Sequence, residues 1–128
     1  METKLFVFPS LWEGFSNILV ETMFCGTPII SSDCKSGPRE ILAPETDFKK
    51  QTENPEFAKY GILMPVLEEK FLSANEPLTQ TEKIWLEIIN VVLKDDILRT
   101  ELKSRAQQRV MDFNIINIVK QWKEILKI

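Results

Sequence analysis

Residues 5–33 carry the pattern that most restricts the fold of this chain. Leu5 to Phe8 is apolar at every position instead of alternating, which is typical of a strand inside a parallel sheet that helices cover on both sides. A helix should then run from Ser16 or Asn17, either of which is a good N-cap, to about Phe24. The pattern therefore predicts a buried strand, a short loop and a helix.

The segment after this helix predicts a second strand. Gly26 is a typical C-terminal stop for a helix, and Pro28 cannot extend one. Ile29 and Ile30 then form a short apolar run that fits a neighbouring buried strand. Because parallel strands are commonly joined through a helix, the sequence predicts a β-α-β unit near its start.

Two carboxylates lie on either side of the predicted strand-to-helix junction. Glu13 is in the loop, and Glu21 follows it by eight residues, about four residues into the helix. Anions are favoured near the free N–H groups of a first helical turn, so we expect Glu21 to stay ionised. An ionised carboxylate can accept hydrogen bonds from two adjacent hydroxyls, such as those of a ribose. Without the surrounding motif, the two side chains would fit a solvated loop residue and a helix-dipole partner.

The run Phe8–Asp33, continued by Gly37–Glu40, resembles the donor-sugar half of a family of retaining glycosyltransferases. That family has a Glu-x7-Glu motif and two Rossmann-like domains, the GT-B fold. The resemblance is specific and covers about the first third of the chain, and residues 60–66 resemble a further strand of the family. It implies that the chain is the C-terminal, donor-binding part of such an enzyme, without the N-terminal acceptor domain.

The resemblance implies a role for each residue of the motif. Glu13 would accept hydrogen bonds from hydroxyls of the transferred sugar and is the predicted catalytic residue, while Glu21 would bind the ribose. Backbone N–H groups near the helix start would face a diphosphate or sugar. Ser16 departs from the family, which often has a second glycine there, and we expect this change to alter the fit of the sugar. The predicted donor-binding residues are Gly14, Phe15, Ser16, Asn17, Ile18 and Glu21.

Two cations follow the second predicted strand. They are Lys35 and Arg39, in a loop and short helix introduced by Gly37 and Pro38. Either could approach a donor phosphate or a substrate hydroxyl. An equally good interpretation is that both are solvent-facing charges on a short helix.

The rest of the chain completes an α/β fold. Residues 43–59 are polar, interrupted by proline and without periodicity, so we expect a surface excursion and the segment most prone to disorder. Residues 60–66 return to an apolar strand pattern and should form the last parallel strand. The predicted class is α/β, with a partial Rossmann-like parallel sheet of about three strands, flanking helices and a helical C-terminus. We expect a single domain over residues 1–128.

Three amphipathic helices are expected after residue 76. Thr79 and Glu82 have capping-box spacing at the start of the first, whose apolar face should dock on the sheet. The second should run from about residue 97 to 111 with a similar stripe. The third begins near Asn114 and carries a stripe that includes Trp122. All three stripes are expected to be core positions. The family resemblance implies that the last helix crosses back to the N-terminal domain, and the alternative is that its stripe is an exposed seam here.

Composition excludes several classes of function. The chain has no histidine, which excludes histidine acid/base catalysis, Ser-His triads and most zinc sites. Neither a dinucleotide fingerprint nor a P-loop motif is present. Cys25 and Cys34 lack the spacing of metal ligands, and we expect Cys25 to be packed and Cys34 to be partly exposed. No metal or other cofactor is predicted, because the nucleotide-sugar is a substrate.

Charge is distributed unevenly along the chain. Residues 1–98 contain 9 Lys/Arg and 16 Asp/Glu, whereas residues 99–128 contain 7 and 3. The basic part could contact an anionic membrane face, although a solvated helix surface is the simpler interpretation. No basic patch is interleaved with aromatic residues, so nucleic acid is not an expected partner. We expect a cytoplasmic protein, with peripheral contact at the inner face of the membrane.

The resemblance implies the donor-binding part of a retaining glycosyltransferase that is inactive alone. It would move a hexose or N-acetylhexosamine from a nucleotide-sugar, preferably UDP-linked, to a glycan or lipid-linked acceptor, together with an N-terminal domain or partner chain. Two alternatives stay open: a non-catalytic, sugar-nucleotide-binding partner chain of a split transferase, and a non-functional truncated fragment. The partner hypothesis predicts an exposed apolar edge at Leu5 to Phe8.

Overall fold

The computed structural model describes residues 3–128 and has an α/β fold. Its strands are β1 (Phe6–Phe8), β2 (Ile29–Ser32), β3 (Glu56–Phe57) and β4 (Ile62–Met64). Its helices are α1 (Asn17–Phe24), α2 (Pro38–Leu42), α3 (Gln80–Lys94), α4 (Asp96–Arg109) and α5 (Ile115–Leu126), with a 3₁₀ turn at Val110–Phe113. The predicted single domain includes residues 1 and 2, which lie outside the described residues, and the domain assignment stays a prediction.

The four strands form one mostly parallel sheet in the order β1-β2-β4-β3. β1, β2 and β4 are parallel, with Val7 opposite Ile30 and Ser31 opposite Leu63, whereas β3 pairs antiparallel with β4. This arrangement confirms the α/β class and the three parallel strands. The first strand was expected inside the sheet, with an exposed edge as the alternative under the partner hypothesis. Within residues 3–128, β1 pairs with β2 alone and lies at the sheet edge.

Helix α1 connects β1 to β2 as the sequence predicted. It begins at Asn17 with Ser16 as the N-cap residue and ends at Phe24. Gly26 has φ of +69°, which is the left-handed conformation that ends many helices. The chain then enters β2 at Ile29, so the predicted β-α-β unit is present.

Alternate residues of the central strands fill two apolar clusters, one on each face of the sheet. Ile29 and Leu63 contribute to the first face, and Ile30, Ile62 and Met64 contribute to the second. The first cluster also receives Leu19, Val20, Met23, Ile41, Leu42, Ala43, Ala106 and Val110, and the second receives Trp85, Val92 and Leu102. Both faces are therefore covered by helices, which explains the consecutive apolar residues at Ile29–Ile30 and Ile62–Met64.

The first two C-terminal helices are positioned as their stripes predicted. Thr79 and Glu82 form the complete capping box at the start of α3. Trp85 is buried against the sheet, and its indole N–H donates to the carbonyl of Pro65 at 2.8 Å. Leu102 on α4 enters the same cluster. These contacts confirm that the stripes are core positions.

Helix α5 differs because no residue of it is buried within the described chain. Its apolar residues and Trp122 are exposed, with 58% of the Trp122 surface accessible. The prediction that this stripe is a core position is therefore wrong within residues 3–128, and the alternative of an exposed stripe agrees with the structure. Within residues 3–128, no helix has both the length and the apolar character that crossing a bilayer requires.

The segment from 43 to 59 is exposed over much of its length, as expected of an excursion, but it is tied to the sheet. It contains β3, and its Thr52 N–H donates to the Asp33 carboxylate at 2.6 Å. The Gln51 side-chain amide donates to the carbonyl of Asp33 at 3.0 Å. Composition does not reveal these long-range bonds, and the expectation that this segment is prone to disorder stays a prediction.

The strongest tie is made by Arg39, whose side chain is only 2% exposed. Its guanidinium forms a bidentate pair with Asp33 (Nε to Oδ1 3.1 Å, Nη2 to Oδ2 2.5 Å). It forms a second bidentate pair with Glu56 (Nη1 to Oε2 2.9 Å, Nη2 to Oε1 3.1 Å). The remaining donor reaches Thr46 Oγ1 at 3.0 Å. All five N–H donors of the guanidinium are thus engaged, and β2, α2 and β3 are joined at one point.

The Asp33–Arg39–Glu56 network predicts an acid-dependent loss of stability. The hydrogen bond from Arg39 lowers the pKa of Glu56 below its ordinary value of 4.5, although burial opposes the shift. A lowered folded-state pKa stabilises the fold above the unfolded value and loses that contribution as pH falls through the folded one. We expect Glu56→Gln to lower the free energy of unfolding by about 1–3 kcal/mol at pH 7 and by much less at pH 3.

Urea unfolding at both pH values measures this difference. Glu45→Gln is the matched control, since Glu45 forms only an exposed pair with Lys59 and should have little effect at either pH. Equal losses from Glu56→Gln at pH 7 and pH 3 would contradict the role of the ionised pair.

Candidate functional site

Two loops meet at the carboxyl edge of the parallel strands. One follows β1 and contains Glu13 and Gly14, and the other follows β2 and contains Cys34 and Gly37. Because β1 and β2 are parallel neighbours, their loops leave the sheet at the same edge. Ligands of open α/β sheets bind in crevices at this edge, so the fold places the predicted site where such sites occur.

The two loops are in direct backbone contact at Gly37 and Gly14. Gly37 has φ of +81°, and a Cβ atom at this position would overlap the carbonyl oxygen of Gly14. The preceding Ser36 is also left-handed, with φ of +64°. Gly37 is therefore required both by its backbone conformation and by the close approach of the first loop.

Glu13 is half-buried and is held by a hydroxyl from its own loop. Ser10 Oγ lies 3.0 Å from Glu13 Oε1 and donates to it. The loop is itself tied to the sheet, because the Ser32 hydroxyl donates to the carbonyl of Ser10. The structure thus places the predicted catalytic carboxylate in a defined position above the end of β1.

The N-terminus of α1 lies directly after Glu13 and Gly14. Asn17 and Ile18 are exposed at the start of the helix, where N–H groups lack partners within the helix. Ser16 is 2% exposed, its Oγ makes no capping bond, and this buried oxygen has no partner among the described residues. The amide end of α1 is therefore not closed by its own N-cap side chain, which leaves it available to an anion.

Glu21 is exposed and is the fifth residue of α1. This position is just beyond the first turn, so its carboxylate lies further from the free N–H groups than the sequence suggested. The exposed side chain can still reach solvent-borne hydroxyls. The structure therefore brings Glu13 and the α1 N-terminus together on one loop and places Glu21 one turn further along the helix.

The two candidate cations differ in their surroundings. Lys35 is exposed in the loop after β2, which is compatible with contact to a substrate. Arg39 is not a solvent-facing charge, because its side chain is buried. Its five N–H groups donate hydrogen bonds to Asp33, Glu56 and Thr46. No donor remains for a phosphate in this arrangement, so the structure assigns Arg39 to the support of the second loop.

Contacts beneath the first loop were missed by the sequence analysis. The Phe15 ring packs edge-to-face on Phe113 at 5.7 Å, and the Arg109 guanidinium lies 4.6 Å from the Phe113 ring centre. Arg109 also donates to the carbonyls of Ile41 and Glu40 at the end of α2. Arg109 and Phe113 lie about 100 residues from Phe15 in sequence, and no local pattern marks them.

The solvent exposure of the two cysteines is the reverse of the prediction. Cys25 is exposed, and Cys34 is buried beside the site. Burial raises the pKa of the Cys34 thiol, a hydrogen bond with Ser32 opposes this rise, and the charge of Glu13 adds to it. The charge of Glu13 therefore adds to the effect of burial on Cys34. Within the described chain, no group of three or more Cys, Asp or Glu side chains could hold a metal ion.

The contact between the loops predicts unequal effects of two alanine substitutions. Gly37→Ala should lower the free energy of unfolding by about 2 kcal/mol or more, because it combines a left-handed residue with a backbone clash. Gly14→Ala should change it by less than about 0.5 kcal/mol, since a Cβ there meets nothing within 4 Å. Urea unfolding of the two variants tests the contact, and equal losses would contradict it.

The electrostatic contact across the loops predicts a change at Cys34. Removing the neighbouring charge with Glu13→Gln should lower the pKa of Cys34, because the thiolate no longer forms beside an anion. The pH dependence of the Cys34 ¹³Cβ chemical shift measures this pKa. Glu45→Gln removes a distant carboxylate and serves as the control. A Cys34 pKa that does not fall in Glu13→Gln would show that the two groups are not neighbours.

Comparisons with known proteins support the family resemblance. Residues 1–63 match the family model described as glycosyl transferases group 1. This region includes both loops, α1 and α2. The match therefore covers the whole candidate site.

Three curated relatives are glycosyltransferases by name. An uncharacterized glycosyltransferase of Methanocaldococcus jannaschii is 39% identical over 128 residues, or 98% of this chain and 31% of that protein. An N-acetylgalactosamine-N,N'-diacetylbacillosaminyl-diphospho-undecaprenol 4-alpha-N-acetylgalactosaminyltransferase of Campylobacter jejuni is 26% identical over 91% of this chain and 25% of its own length. A lipopolysaccharide 1,6-galactosyltransferase of Salmonella typhimurium is 54% identical over 35 residues, or 27% of this chain and 10% of that protein.

The chain thus spans a third or less of each of these relatives, at 31%, 25% and 10% of their lengths. The similarity is nevertheless continuous from the first loop to α5 in the Methanocaldococcus protein, since it covers 98% of this chain. Residues 1–63 are thus similar to the group 1 glycosyl transferase model, and the rest of the chain is similar to a named glycosyltransferase.

Proposed function

We propose that this chain is the donor-binding part of a retaining glycosyltransferase. It binds a nucleotide-diphosphate sugar, with UDP as the preferred nucleotide, and serves the transfer of a hexose or N-acetylhexosamine. The observation that carries the proposal is the position of Glu13 and the open N-terminus of α1 on one loop, at the carboxyl edge of a parallel sheet. The family match over residues 1–63 supports it.

The amide end of α1 is proposed to bind the diphosphate. N–H groups at a helix start carry partial positive charge and point toward an anion placed on the helix axis. These N–H groups stabilise the transition state most when they contact the leaving group, where negative charge grows as the bond to the sugar breaks. The exposed Lys35 on the neighbouring loop is a candidate for a further contact with the phosphates.

The two carboxylates are proposed to bind the two ends of the donor. Glu13 accepts hydrogen bonds from hydroxyls of the transferred sugar, and Glu21 accepts from the two hydroxyls of the ribose. Carboxylates fixed at both ends orient the anomeric carbon toward the acceptor, and orientation of this kind lowers the barrier without any covalent step at the enzyme. Positive charge that develops on the sugar ring in the transition state is also stabilised by a nearby anion.

The acceptor is proposed to be a glycan or a lipid-linked glycan. The Campylobacter relative carries diphospho-undecaprenol in its name, and the Salmonella relative carries lipopolysaccharide. An acceptor of either kind places the reaction at the cytoplasmic face of the membrane, with this chain in peripheral contact. The acceptor-binding domain would lie in the larger part of the relatives that this chain does not cover, so we expect no turnover from the 128-residue chain alone.

A second candidate function follows from the position of β1. Phe6, Val7 and Phe8 are half-buried and lie at the sheet edge, as the hypothesis of a partner chain predicts. In that case the chain would contribute a sugar-nucleotide half-site to a second protein and would not catalyse the reaction itself. Transfer activity that appears only after a second, separately encoded chain is added would favour this candidate.

Binding of the donor tests the main proposal. In two-dimensional amide NMR spectra, UDP-N-acetylglucosamine and UDP-N-acetylgalactosamine should shift the signals of residues 14–21 in a saturable way. Glu21→Ala should weaken this binding roughly tenfold or more, because it removes the charged acceptor of both ribose hydroxyls. Glu87→Ala removes an exposed carboxylate from α3 and is the matched control.

The spectra also show whether each variant is folded. Dispersed spectra whose signals from residues 14–21 do not move with either donor would contradict the proposal for this chain. Equal weakening by Glu21→Ala and Glu87→Ala would contradict the role given to Glu21.

A further inference from the structure

We infer that Ser10 is a positioning residue, which holds the Glu13 carboxylate in the orientation that the donor sugar requires. The inference rests on the proposed role of Glu13. Ser10 Oγ lies 3.0 Å from Glu13 Oε1 and 2.9 Å from the carbonyl oxygen of Trp12. A serine hydroxyl carries one proton, and the ionised carboxylate is the stronger of these two acceptors. Ser10 therefore donates to Glu13 whenever Glu13 is charged.

The two oxygens of Glu13 are left in different situations. Oε1 accepts from Ser10, whereas Oε2 has no hydrogen-bond donor within residues 3–128. A carboxylate anchored through one oxygen presents the other in a fixed direction. The free oxygen can then accept from a sugar hydroxyl without first losing the freedom of a mobile side chain.

Ser10 is itself fixed relative to the sheet. Its carbonyl accepts a hydrogen bond from the hydroxyl of Ser32, which is fully buried on β2. Two hydrogen bonds, from the Ser10 hydroxyl and from the Ser32 hydroxyl, therefore link the orientation of Glu13 to β2. Because the bond to Ser32 uses the backbone of Ser10, replacement of the Ser10 side chain leaves this anchor in place.

This arrangement predicts a selective effect of Ser10→Ala. The Glu13 carboxylate should no longer be held in place for the donor sugar. The nucleotide is proposed to contact the α1 N-terminus and Glu21, so its binding should be unaffected. We expect the affinity for UDP-N-acetylgalactosamine or UDP-N-acetylglucosamine to fall roughly threefold to tenfold and the affinity for UDP to stay unchanged, as for loss of one hydrogen bond. Ser10→Thr keeps the hydroxyl and should restore sugar binding.

The experiment combines titration calorimetry of these variants with a measurement of Glu13 itself. Three-bond couplings in labelled protein report whether the Glu13 side chain occupies one χ1 rotamer, as expected for the native chain, or averages over several, as expected for Ser10→Ala. Ser104→Ala removes an exposed hydroxyl from α4 and is the matched control. In a Glu13→Ala background, Ser10→Ala should cause no further loss of affinity.

The outcomes separate this inference from the proposed function. Equal loss of UDP and UDP-sugar binding in Ser10→Ala, or further loss in the Glu13→Ala background, would overturn the inference by assigning Ser10 a merely structural role. If the native chain binds neither donor, the proposed function fails, and the rotamer measurement still decides whether Ser10 fixes Glu13. An unchanged Glu13 rotamer in Ser10→Ala would overturn the inference in either case.

Discussion

The candidate site depends on the backbone contact between Gly37 and Gly14. Parallel pairing of β1 with β2 brings their loops to one edge of the sheet, but pairing alone does not fix how closely the loops approach. The left-handed Gly37 lets the second loop pass against the carbonyl of Gly14, where no side chain would fit. Glu13 and the start of α1 therefore have a rigid neighbour on one side, which is the condition for a preorganised binding loop.

The second loop is supported in turn by the network around Arg39. A buried guanidinium between Asp33 and Glu56 is compensated in charge and uses every donor it has. Breaking such an arrangement is costly, because each partner would be left as an unpaired charge. The network therefore connects the segment that carries β3 to the loop that carries Gly37. A region that looks like a surface excursion thereby supports the site from behind.

Local patterns in the sequence were sufficient for the fold class, whereas the roles of the site residues stay predictions. The apolar strands, the stop at Gly26 and the capping box of α3 each depend on neighbouring residues, so they were predicted within a few positions. What failed were properties set by distant contacts. The burial of Arg39, the exchange in exposure of Cys25 and Cys34, and the pairing of β3 depend on partners many residues away. A single sequence does not list such partners.

The position of β1 shows the same limit in another form. A fully apolar strand predicts an interior place, but its neighbours in the sheet are a property of the topology and not of the strand. Within residues 3–128 it has one neighbour, β2. The sequence therefore identified the element, whereas residues 5–8 alone do not determine its neighbours in the sheet. The same limit applies to Ser10, because the sequence alone does not show that its hydroxyl lies within hydrogen-bonding distance of Glu13.

The central claim is that a nucleotide-sugar lies across the loop after β1, with its diphosphate at the start of α1. Intermolecular nuclear Overhauser effects between a bound UDP-sugar and the labelled chain test this claim most directly. The account predicts contacts from the sugar protons to Glu13 and Gly14 and from the ribose protons to Glu21. Contacts confined to another surface would contradict it, such as contacts to the pocket that Lys4 and Arg99 line near the amino end of β1.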